Sequence, residues 1–205
     1  MSGDRSRIPL AEAVAAVRRE RGPRDVVITT MAASKAWMDG GTGPLDFVFV
    51  PSCMGHATSL GLGLALAQPR RRIIVCNGDG SMLMNLGSLV SIMAAAPPNL
   101  VVLVLDNGVY EVTGAQPTPG SPVARPDQGR VDYAAMARAC GFPSVFHCPG
   151  PEEWRRDAAA IITAPGPVFA WLEIEAVRGR PGPRSPGPAA ARARAFMQAL
   201  RDGAE

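Results

Sequence analysis

The sequence predicts an α/β fold, a doubly wound and mostly parallel sheet with helices on both faces. Short apolar runs alternate with segments of helical period along most of the chain. Two of those runs, Ile73–Cys76 and Leu100–Leu105, are apolar without interruption, as strands buried on both faces of a parallel sheet are. Each run leads into a glycine-bearing turn, Gly78-Asp79-Gly80-Ser81 and Asp106-Asn107-Gly108.

Taken in order, Leu10, Ala13, Val14 and Val17 recur at helical spacing, predicting an amphipathic helix over 9–21 that Gly22-Pro23 stops. Val26–Thr29 and Phe47–Val50 read as short buried strands. His56–Gln68 reads as a helix whose Gly and Ala residues imply close packing against a neighbour, despite the propensity cost of Gly61 and Gly63. Strand 72–76 follows, then one helix over Ser81–Ala95 closed by Pro97-Pro98, then strand 100–105. Residues 107–130 are crowded with proline and glycine, so a long irregular loop is expected, of the kind that tends to be functional. Helix 131–140, strand 144–147, helix 151–163 and strand 167–174 complete one domain over 1–178. A Pro/Gly/Arg linker over 179–188 and a closing helix over 189–205 follow it, and there are no internal repeats.

Composition narrows the function classes. The chain has 205 residues, 47% of them apolar, with a net charge of +3. Apolar runs are too short to cross a bilayer, and the start lacks a signal-peptide core, which predicts a cytoplasmic protein with no membrane role. All the basic residues but Lys35 are arginine, clustered at Arg70–Arg72 and along Arg178–Arg184, without the interleaved aromatics of a nucleic-acid face. The four cysteines, Cys53, Cys76, Cys140 and Cys148, form no CxxC pair, which argues against a zinc site and for reduced thiols.

In a sheet of this kind, ligands bind beyond the carboxyl ends of the strands, where both glycine turns are expected. In the first turn, two glycines let the backbone approach a ligand, and a helix start offers N–H groups to phosphate. Asp79 would repel a bare phosphate unless a cation stood between them. A carboxylate, a side-chain amide and a backbone carbonyl around a diphosphate make an oxygen set suited to magnesium. Asp79 and Asn107 would face one another if their strands are neighbours. Either turn alone is ordinary.

Together they are not. Gly-Asp-Gly, twenty-six intervening residues and then Asn, with strand–helix–strand between, resembles the cofactor motif of thiamine-diphosphate-dependent enzymes. The runs SCMGHATSLGLGLAL, NGDGSMLMNLGSLVSI and LDNGVYEVTGAQPTPG resemble the diphosphate-binding, C-terminal-type domain of sulfopyruvate and phosphonopyruvate decarboxylases. The likeness covers about residues 25–175, with RARAFMQAL as a further match. It implies thiamine diphosphate and Mg2+ as cofactors, with Asp79, Asn107 and the carbonyl of Val109 on the metal, and Gly80 and Ser81 on diphosphate oxygens. It implies that Met54 is the apolar wedge holding the cofactor folded. It also places Thr30, Ser52, Cys53, Gly78, Tyr110, Glu111 and Val112 around the cofactor. His56 and Glu111 become candidates for a role facing the substrate, each with a structural alternative beside it.

The family's activating glutamate lies on a separate pyrimidine-binding domain, for which one domain leaves no room. The resemblance therefore implies a split 2-oxoacid decarboxylase, active only with a pyrimidine-domain partner subunit, in an α2β2 or larger assembly acting on a small 2-oxoacid. The chain departs from the pattern at Met31, where the family has Gly, at Lys35-Ala36-Trp37, and at Ser52-Cys53. Alternatives are a carboligase subunit, separable by product analysis, and a non-catalytic scaffold, in which Asp79→Ala would be silent. A ferredoxin-dependent oxidoreductase subunit would call for clustered cysteine ligands, which these scattered ones are not.

Overall fold

The computed structural model describes residues 6–51, 53–124, 129–177, 179 and 182–202. Six strands form one parallel sheet: β1 (Val26–Thr30), β2 (Asp46–Phe49), β3 (Ile73–Gly78), β4 (Leu100–Asp106), β7 (Ser144–Cys148) and β8 (Val168–Glu173). Their order is β2-β1-β3-β4-β8-β7. From β1 the chain steps to one edge for β2, then crosses back for β3 and β4. That reversal opens a crevice beyond the carboxyl ends of β1, β3 and β4, where doubly wound folds bind ligands. The central strands are buried along their full length, in keeping with their unbroken apolar sequence.

Alternation along the strands feeds two cores. Val27, Ile74, Val101 and Leu103 face a layer that includes Val14 and Val17 of α1 (Leu10–Glu20), Trp37 of α2 (Met31–Asp39), and Ile161 and Ile162 of α7 (Pro151–Thr163). Val75, Val102 and Val104 face the other layer. It holds Ala57 and Ala65 of α3 (Ala57–Ala67), Leu89 and Ile92 of α5 (Gly87–Ala95), Tyr133 of α6 (Tyr133–Ala139), and Phe196 and Leu200 of α8 (Ala189–Asp202). Close packing of α3 is visible at Gly61, where a Cβ would stand 2.4 Å from Val75 Cγ2 and 3.4 Å from Leu100 Cδ1.

Three expectations are corrected. The predicted helix over 81–95 is two helices, α4 (Asp79–Leu83) and α5. Between them Asn85 turns its amide to Gly55 O at 2.7 Å and to Ser59 Oγ at 3.3 Å, so tertiary bonds interrupt the helical period. The loop over 107–130 is not without regular structure: β5 (Val109–Tyr110) and β6 (Gln116–Pro117) pair antiparallel around a 3-10 turn at Glu111–Thr113. Helix α2 adds an element to those expected; it opens at Met31 with no side-chain cap and shows a weak apolar period. All four cysteines are free thiols. Among the described residues no helix is long and apolar enough to cross a membrane.

Candidate cofactor site

β3 and β4 are neighbours, with Gly78 paired to Leu105. Asp79 therefore leaves one strand beside the point where Asn107 leaves the other, and both line one cleft. Nine of the sequence-predicted residues share that cleft with them: Thr30 and Met54; Gly78, Gly80 and Ser81; Val109, Tyr110, Glu111 and Val112 join Asp79 and Asn107 in its wall. Leu10, Met31, Leu105 and Ile174 add apolar lining. Cys53 and His56 are exposed and lie outside that lining; His56 Nδ1 is 3.1 Å from the carbonyl of Met54. Ser52 lies outside the described residues.

Local bonds hold the two turns. In the first, the buried Ser81 accepts the Gly55 N–H at 2.9 Å, fastening the Met54-Gly55 turn to the start of α4. Gly55 takes φ +85°, a left-handed conformation that favours glycine. A Cβ on Gly80 would strike the Tyr110 ring at 2.4 Å, so only glycine fits there, whereas nothing lies within 4 Å of a Cβ position on Gly78. Helix α4 has a single turn, so backbone N–H groups without an intrahelical partner, rather than a long helix dipole, are what this turn offers an anion. In the second turn Gly108 takes φ +73°, its N–H donates to Asp106 Oδ1 at 3.0 Å, and the Val109 N–H donates to Asn107 Oδ1 at 3.0 Å. A carbonyl-type oxygen has two lone pairs, so Asn107 Oδ1 keeps one for a ligand.

The electrostatics centre on Asp79. Burial, reinforced by the charge of neighbouring Asp106, raises its carboxyl to about 7, although a bond from Thr118 Oγ1 at 3.0 Å and the Gly80 N–H work the other way. Glu111 is also buried: Oε1 accepts the Val177 N–H at 3.0 Å and Oε2 has no partner. Beyond Asp106 stands a group the motif did not reveal, made of Arg130, His147, Trp171 and Glu173. Burial works to raise the Glu173 carboxyl, and bonds from His147 and Arg130 outweigh it and hold Glu173 low.

The donor set of Asp79, Asn107 and the Val109 carbonyl is all oxygen with one carboxylate, which suits a hard divalent cation that keeps waters and phosphate in its shell. Among the described residues no group of three or more His, Cys, Asp or Glu side chains is placed to hold a metal ion.

Met31, the departure from the family's glycine, takes φ +51° and lines the cleft. An L side chain in that region costs about 1–2 kcal/mol, part of which glycine gives back in unfolded-chain entropy. Met31→Gly is expected to stabilise the fold by roughly 1 kcal/mol, read as a rise of about 2–4 °C in Tm. Met31→Ala, which keeps the strain, should show no such rise.

Comparison with known proteins shows the family. The family model for thiamine pyrophosphate enzymes, C-terminal TPP binding domain, matches residues 25–170. A phosphonopyruvate decarboxylase of Streptomyces viridochromogenes is 39% identical over 180 residues, covering 85% of this chain and 43% of its own length. A sulfopyruvate decarboxylase subunit beta of Methanothermobacter thermautotrophicus is 39% identical over 132 residues, covering 64% of this chain and 63% of its own. The chain thus spans less than two thirds of either relative. A solved structure from Mycobacterium smegmatis, assigned to the thiamin diphosphate-dependent enzymes, superposes with a TM-score of 0.65 at 17% identity, covering 83% of this chain and 32% of that one, a likeness of fold. On the family match, and with both halves of the motif set at adjoining strand ends, the chain belongs to the thiamine pyrophosphate enzymes and carries their C-terminal cofactor-binding domain.

Proposed function

We propose that this chain is the diphosphate-binding subunit of a split, thiamine-diphosphate-dependent 2-oxoacid decarboxylase. The observation that carries the proposal is the meeting of Asp79 and Asn107 in one cleft at the carboxyl ends of adjoining strands. In this reading Asp79, Asn107 and the Val109 carbonyl hold Mg2+, and the Gly80–Ser81 backbone receives the diphosphate. Met54, standing on the turn that Ser81 fastens, supports the folded cofactor. Thiamine diphosphate, when bound, supplies the electron sink that decarboxylation of a 2-oxoacid requires.

The chain's own residues do the rest. Apolar Met31, Leu105, Val112 and Ile174 line the cleft, and an apolar lining strengthens the polar contacts made against it. Glu111, with one oxygen bonded to Val177 N and the other unpartnered, presents a carboxyl group on the same wall. The names of the relatives support decarboxylation of a small 2-oxoacid. The relative called subunit beta supports a separate partner, which in this reading brings the activating glutamate and completes an α2β2 or larger assembly.

The reading is tested by titrating the purified chain with thiamine diphosphate and Mg2+. Binding is expected to be weak, with carbon dioxide release from a 2-oxoacid appearing only when a pyrimidine-domain subunit is added. Robust decarboxylation by the chain alone would overturn the split site.

A further inference from the structure

The second glycine turn is tied to a charged group that lies behind the cleft and outside its lining. Asp106, the last residue of β4, is 4% exposed and sits beside Asp79. Its carboxylate is fully engaged. Oδ1 accepts the Gly108 N–H at 3.0 Å; Oδ2 accepts Arg130 Nη2 at 2.6 Å and Trp171 Nε1 at 2.9 Å. The other arm of the guanidinium, Nη1, is bonded to Glu173 Oε2, and the group lies over the Trp171 ring, 4.7 Å from its centroid. His147 closes the set: its Nε2 is 2.9 Å from Glu173 Oε1, and its ring stacks on Trp171 at 4.0 Å and 8°. Arg130 is thus fixed on two sides by carboxylates and on a third by an indole. A planar, permanently charged fork suits this place, and an ammonium matches it only in part.

Two buried carboxylates side by side would compete for one cation. With Arg130 on Asp106, the two divide the work: Asp79, bonded to Thr118 Oγ1 and the Gly80 N–H, lines the cleft, and Asp106 is spent on the backbone of the turn. That backbone carries Asn107 and the Val109 carbonyl, and its left-handed Gly108 is held by the Asp106 bond. We propose that Arg130 is a positioning residue for the metal-binding turn, acting through Asp106 to set Asn107 and Val109. The proposal rests on the functional reading above, since it takes those two residues as ligands. It adds a residue twenty-four positions downstream that touches neither cofactor nor substrate.

The sign of one measurement separates positioning from simple charge. Removing a cation near a Mg2+ site makes the local potential more negative, which by itself tightens Mg2+ binding. Loss of positioning loosens it, by the ~10–100-fold that outer partners of metal ligands typically contribute. The test is calorimetric titration of Mg2+ into the chain with saturating thiamine diphosphate, for wild type, Arg130→Gln, Arg130→Lys and Glu173→Gln, with circular dichroism and Tm recorded for each. Arg130→Gln should weaken Mg2+ at least about tenfold while its secondary structure is kept. Arg130→Lys should recover part of that loss, and Glu173→Gln, which frees one arm of the fork, should fall between. Equal or tighter Mg2+ binding by folded Arg130→Gln overturns the proposal. If Arg130→Gln does not fold, Glu173→Gln and Arg130→Lys decide it: wild-type affinity in both overturns it, and weakened affinity with unchanged Tm upholds it. Wild-type chain that binds no cofactor with Mg2+ overturns the functional reading, and this proposal with it.

Discussion

Asp79→Ala is expected to abolish Mg2+-dependent binding of thiamine diphosphate, with a loss exceeding the ~100-fold upper range for an outer partner, and to leave no decarboxylation in the assembled enzyme. Asp79 contributes the one carboxylate of the proposed oxygen set. A scaffold that merely kept the fold would not respond. The same residue predicts two pH effects of opposite kind. Its folded pKa, raised from the ordinary carboxylate value of 3.8 to about 7 by burial and by Asp106, means that ionisation is harder in the folded chain than in the unfolded one. The stability it allows is therefore fully present below the unfolded pKa and is lost as pH rises through the window from 3.8 to about 7. Metal binding runs the other way, because a ligand must be deprotonated. Mg2+ affinity should climb with pH and level off above about 7. Asp79→Asn should therefore raise the Tm of the metal-free chain at pH 8 and still fail to bind Mg2+. A variant that gains stability and loses its metal would mark Asp79 as a functional residue held at a structural cost.

The second large effect concerns the scaffold. Gly61→Leu is expected to destabilise the chain by roughly 3 kcal/mol or more, since even a first carbon would stand 2.4 Å from Val75 in a strand with no room to yield. Gly63, two residues on in the same helix, has nothing within 4 Å of its Cβ position. There Gly63→Leu should stabilise by about 0.5–1 kcal/mol through helix propensity. Thermal unfolding of the pair checks both, and equal effects would remove the close approach of α3 to the sheet as the reason for its small residues.

The sequence carried the strands and the two turns because both are local signals. An unbroken apolar run such as Leu100–Leu105 admits few readings, and the glycines with Asp79 and Asn107 lie within a few residues of strand ends. What it hid depends on contacts across the fold. Helix α2 starts at a left-handed methionine that no start signal marks. The break before α5 follows from Asn85 reaching back to Gly55, thirty residues earlier. Arg130 sits at the end of a proline-rich loop, and nothing in its neighbours announces that it will meet Asp106 and Glu173. Glu111 was visible as a candidate, but its bond to Val177 N and its unpartnered oxygen required the folded chain. Cys53 and His56 lie on either side of Met54 in sequence, yet the turn at Gly55 leaves them on the exposed side.

The most direct measurement of the central claim is a crystal structure of the chain grown with thiamine diphosphate and Mn2+, the metal located by anomalous scattering. One peak is expected in the cleft, within coordination distance of an Asp79 carboxylate oxygen, Asn107 Oδ1 and the Val109 carbonyl, with diphosphate density against Gly80 and Ser81. A peak on Asp106, or a metal elsewhere with the cleft unchanged, would contradict it.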